Sequence, residues 1–134
     1  MKKNMLIIIL VIITTIFIGC KEGSFRFSQN VENIESIDIV NADDCFEYSV
    51  EKTLSEEEML DFLNQFQKIE FYGAVFGDPV TFHGRGIKIT YENGDYEMVT
   101  HLSSERVENG KRQLSRRYCD EDEFNDLIEK FSDT

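Results

Sequence analysis

Three cysteines, two histidines and one glycine-rich connection hold the residue types able to carry chemistry in this chain of 134 residues. A cysteine sulfur can be alkylated, joined in a disulfide or bound to a metal, depending on what surrounds it. Neither His83 nor His101 has a cysteine or carboxylate at metal-ligand spacing, so no metal site is expected. The connection at 73–86 reads GAVFGDPVTFHGRG and carries the sole proline, Pro79. Loops of this length inside compact domains often serve function. Phe76, Asp78, Phe82, His83 and Arg85 therefore form a candidate binding loop, with His83 and Arg85 able to meet an anion. The competing reading tucks the apolar loop residues under a helix. No serine elbow, cysteine–histidine arrangement with a third member or phosphate loop occurs, so no catalytic residue and no cofactor is assigned.

Charge gives less than its abundance suggests. The runs Glu56-Glu57-Glu58 and Asp120-Glu121-Asp122-Glu123 fall at expected helix N-termini, where free N–H groups favour negative side chains. Asp120, Asp122 and Asp126 lack the glycine and terminal glutamate of a calcium loop. Lys111, Arg112, Arg116 and Arg117 make one basic cluster, expected to pair with acidic helix residues. With 14 basic against 26 acidic residues the net charge is −12, which argues against nucleic-acid binding.

The strongest signal lies at the N-terminus, MKKNMLIIILVIITTIFIGC. Lys2 and Lys3 precede an apolar run over 5–18, which Gly19 and Cys20 end. A membrane-crossing helix needs roughly 20 apolar residues, so this run suits a secretory signal better than a span. Phe17-Ile18-Gly19-Cys20 resembles the lipobox of bacterial lipoproteins, with Phe17 where that family usually has leucine. The resemblance covers only these residues. It implies cleavage after Gly19, diacylglyceryl attachment to Cys20 and a membrane partner reached through that lipid. Two acyl chains hold firmly where one binds marginally. The location implied is the extracytoplasmic face of the cell membrane. With Cys20 lipidated, Cys45 and Cys119 remain on the oxidising side. They are either a disulfide closing a long loop or two unpaired thiols.

The elements that must position these residues follow from periodicity. Residues 1–19 are the expected signal peptide, 20–33 a flexible polar tether, and 34–134 one α+β domain. Ile37 and Ile39, then Phe46, Tyr48 and Val50, alternate with polar residues as strands do. Ser55 and Glu58 form a capping box ahead of Met59, Phe62, Leu63 and Phe66 at helical spacing. Ile87, Ile89 and Tyr91 alternate again, Asn93-Gly94 supplies a hairpin turn, and Tyr96, Met98, Thr100 and Leu102 continue on the return strand. Asn109-Gly110 marks a further turn, and Phe124, Leu127, Ile128 and Phe131 form a second helical stripe. The order β-β-α-β-β-β-α predicts an antiparallel sheet with both helices on one face.

The resulting expectation is a monomeric, lipid-anchored domain that binds a protein or cell-wall component without chemistry of its own. Two alternatives stand beside it. One is a small ligand-binding protein or enzyme using the 73–86 loop, and the other an inhibitor or immunity-type lipoprotein.

Overall fold

The computed structural model describes residues 23–44, 47–72, 84–115 and 117–132. A single 3-10 turn at Val31–Asn33 leads into β1 (Ile34–Asp44) and β2 (Glu47–Thr53). Helix α1 (Glu56–Phe66) follows, then β3 (Gly84–Tyr91), β4 (Tyr96–Val99), β5 (Ser104–Glu108), β6 (Lys111–Ser115) and α2 (Glu121–Ser132). The described strands form one six-stranded antiparallel sheet in the order β2-β1-β3-β4-β5-β6. This is the expected α+β class. The return strand is divided: Thr100 N–H donates to Ser103 C=O (2.9 Å) in a tight turn, so β4 and β5 are separate strands. That turn closes over β3, where a Cβ at Gly86 would sit 2.5 Å from the Val99 carbonyl oxygen. Only glycine permits so close a backbone approach.

Local sequence explains the ends of the elements. The Ser55 side chain accepts from Glu58 N–H (3.2 Å), and Glu58 accepts from Ser55 N–H (2.8 Å), completing the capping box. Asn109 (φ 51°) and Gly110 (φ 75°) join β5 to β6 with both central residues in the left-handed region, as a type I′ turn requires. The Asn93-Gly94 turn is wider than a two-residue hairpin. Asn93 Oδ1 accepts from Asp95 N–H (3.0 Å), and pairing resumes only at Thr90–Tyr96.

Both helices pack on one sheet face. Phe62, Leu63 and Phe66 of α1 and Phe124, Leu127, Ile128 and Phe131 of α2 meet Ile37, Ile39, Ile87, Ile89, Tyr91 and Val99 in a continuous core, with Met59 at its margin. Phe62 stacks on Phe66 (5.5 Å) and meets Phe131 edge-on (5.4 Å), which locks the helices together. The alternation through Tyr96 and Met98 belongs to the other face, where Met98 joins Val40 and Ala42. On the helix side β4 presents Val99 and, unexpectedly, Glu97.

The expected tether needs correction over 23–33. Phe25 is 3 % exposed and packs against Phe27, Phe66 and Phe71, with ring centroids 5.2–5.4 Å apart. Ser24 pairs with Glu70 as an antiparallel bridge, Phe71 N–H donates to Gly23 C=O, and Val31 is buried. A polar stretch with two aromatics reads as linker in one dimension. Here the two rings fill space that the end of α1 leaves open.

Candidate functional site

Glu97 is the only acidic residue among the described ones that is wholly enclosed, and it organises the one buried charged network seen there. Its Oε1 accepts from Arg106 Nε (2.6 Å) on the neighbouring strand. Its Oε2 accepts from the Tyr91 hydroxyl and from Ser28 N–H (3.2 Å). Arg106 reaches on to donate to the Arg26 carbonyl. Strand register sets this up, because Glu97 lies directly opposite Arg106. The network thus clamps the 23–33 segment to the sheet through two backbone groups. Burial, then the Glu97 charge and its hydrogen bond, push the Tyr91 phenol well above its ordinary value. Every polar atom of this network that the hydrogen bonds engage points at another protein group, so it is an internal clasp.

The sequence-derived site residues divide sharply. Cys20, Cys45, Phe76, Asp78, Phe82 and His83 lie outside the described residues. Arg85 is described, and its guanidinium is engaged by Glu51 Oε2 (2.8 Å) and Ser132 Oγ (2.6 Å). It ties β3 to β2 and to the end of α2. Of the basic cluster, Arg112 Nε stands 3.6 Å from Glu105 on the adjacent strand. His101 Nε2 lies 3.9 Å from Glu121 at the start of α2.

Cys119 is buried, and as a thiol it is pushed up to about 12 by burial and then by the nearby Glu123 and Asp120 carboxylates. In the unfolded chain it ionises near its ordinary 9.0, so the fold disfavours its thiolate. The sign is fixed: this contribution to stability is full below pH 9.0 and lost as pH climbs towards about 12. Tyr91 acts in the same direction from its ordinary value of 10.0 upward. Urea midpoints should therefore hold steady from neutral pH to about 9 and fall beyond it, with Cys119→Ala moving the onset towards Tyr91's range. A midpoint that stays level through this alkaline range would contradict the burial of both groups. Alkylation of unfolded, unreduced protein separates the two readings of the cysteine pair. Labelled Cys45 and Cys119 mean free thiols, and protection of both means a bond.

Two surface features remain. Between the helices runs an open groove of about 590 Å³, lined by Asp61, Gln65 and Lys68 of α1 and its exit, and by Asp126 and Lys130 of α2. Lys130 Nζ donates to Gln65 Oε1 (3.0 Å) across it, and with Glu123 its lining carries three acids, Asp61, Glu123 and Asp126, against Lys68 and Lys130. The second is aromatic. Tyr72 and Tyr118 bond each other through both backbone groups (2.8 and 3.2 Å), their rings are 5.5 Å apart, and they remain 49 % and 40 % exposed. The Tyr72 hydroxyl donates to Glu70 Oε2 (3.2 Å), and that bond, with the Glu70 charge, raises its pKa. Sequence reasoning passed over this pair because nothing in one dimension places residue 72 beside residue 118.

No protein-family model, no curated protein and no solved structure matches this chain.

Proposed function

We propose that this chain is a lipoprotein: a small α+β domain held at the extracytoplasmic face of a membrane by a lipid on Cys20, where it binds a protein or cell-wall component. The observation that carries the reading is the N-terminal arrangement itself. Two lysines, an apolar run too short to span, and Gly19 directly before Cys20 agree in charge, length and position. Among the described residues no helix is long and apolar enough to cross a membrane.

Mass spectrometry of the mature N-terminus, with labelled fatty acid fed to the producing cell, tests the anchor. The expected product starts at Cys20 and carries label. Cys20→Ala removes the only sulfur in position to take the lipid, so that variant should lose all label and persist as precursor or be shed. A membrane-bound chain with Met1 intact and Cys20 unmodified would mean a signal anchor instead.

A further inference from the structure

The Tyr72–Tyr118 pair has a neighbour that gives it meaning. Gly23 C=O accepts from Phe71 N–H and Ser24 pairs with Glu70, so the chain coming from Cys20 joins the fold one residue away from Tyr72. Cys20 precedes Gly23 by three residues. Three extended residues span at most about 10 Å. On the lipoprotein reading, on which this inference rests, the acyl chains on Cys20 therefore hold the Gly23–Phe71 junction close to the headgroup layer. Leu102 lies in the same region, because Cys119 N–H donates to His101 C=O (2.8 Å) and so sets the residue after Tyr118 beside the residue before Leu102. Leu102 is 46 % exposed.

Three large side chains are thus left outward at the end of the molecule where the anchor enters. Tyrosine suits a membrane–water interface, since its ring is apolar and its hydroxyl can stay wet. We infer that Tyr72, Tyr118 and Leu102 seat the domain on the surface of the membrane that holds the Cys20 lipid. A short tether makes this contact effectively intramolecular, so weak intrinsic affinity suffices. Charge beside the pair is mixed: Glu70 is bonded to Tyr72 and Glu121 lies near His101, while Arg117 directly precedes Tyr118. The seat therefore rests on the two rings and Leu102, not on charge.

The chain contains no tryptophan, so single tryptophans report cleanly. Leu102→Trp places one in the seat, at the turn between β4 and β5, and Val50→Trp places one on β2, an edge strand separated from β4 by β1 and β3, where Val50 is 51 % exposed. Each full-length, lipidated variant is reconstituted into phosphatidylcholine vesicles with brominated acyl chains. Strong quenching and a blue shift are expected for Leu102→Trp in these uncharged vesicles, with neither for Val50→Trp. Adding Tyr72→Ser and Tyr118→Ser to Leu102→Trp should remove most of the quenching while circular dichroism stays unchanged. Equal emission of both reporters in brominated and plain vesicles, with the Cys20 lipid verified by mass, overturns the seat and leaves the anchor standing. A seat reporter still fully quenched after loss of both tyrosines likewise overturns their role. A chain without lipid on Cys20 overturns the anchor, and this inference with it.

Discussion

Replacing Glu97 with Ala should lower unfolding free energy by about 3–5 kcal/mol, as removal of one partner from a buried ion pair does. The carboxylate is fully enclosed and accepts from Arg106, Tyr91 and Ser28. Without it the Tyr91 hydroxyl is left in the core, and the Arg106 guanidinium, still about one-third exposed, loses its partner. The partial exposure of Arg106 lets water recover some of its charge, which favours the lower end of the range. Glu97→Gln retains an oxygen for Tyr91 or Ser28 but turns an amide towards Arg106, so its cost should fall between wild type and Glu97→Ala. Exchanging both Glu97 and Arg106 for Met should restore the part of the loss that comes from the unpaired Arg106 charge, while the Tyr91 hydroxyl still lacks its acceptor. Urea melts of the four proteins measure this. A Glu97→Ala midpoint equal to wild type would deny the clasp any part in stability.

Phe25→Ala should cost about 3–5 kcal/mol, the usual range for truncating a buried aromatic. Phe25 touches three other rings, and its removal would open a cavity between α1 and the 70–71 segment that Phe66 and Phe71 cannot close from fixed backbones. Phe27→Ala should cost less, because Phe27 is only partly buried at the edge of the same cluster. Domains of this size have only 5–15 kcal/mol of stability, so the Phe25 variant would lose a large fraction. The prediction opposes the tether reading directly: a ring on a free linker could be removed at no cost to a urea midpoint. The same contacts bring the folded boundary from Ile34 back to Gly23, which shortens the distance between the fold and the proposed anchor at Cys20.

Periodicity alone determined most of the architecture. Helix stripes such as Phe62, Leu63 and Phe66, the Ser55–Glu58 box and the Asn109-Gly110 turn are local events, each fixed by a few neighbouring residues. The lipobox-like N-terminus is equally local, so the anchor proposed from it needs no knowledge of the domain. The sequence could not say which face of β4 turns inward. Tyr96 and Met98 carry the apolar alternation, yet Glu97 goes to the core, because Arg106 opposite it and Tyr91 at the end of β3 satisfy its charge there. Hydrophobicity ranks single residues, whereas the cost of burying a carboxylate depends on partners that only folding brings together. Phe25 and the Tyr72–Tyr118 pair follow the same rule. Their roles depend on contacts across 41 to 46 positions of sequence, from Phe25 to Phe66 and from Tyr72 to Tyr118, and no local pattern encodes them. Tertiary structure alone decided that Phe25 and Val31 belong to the core and that two distant tyrosines share one surface near Gly23.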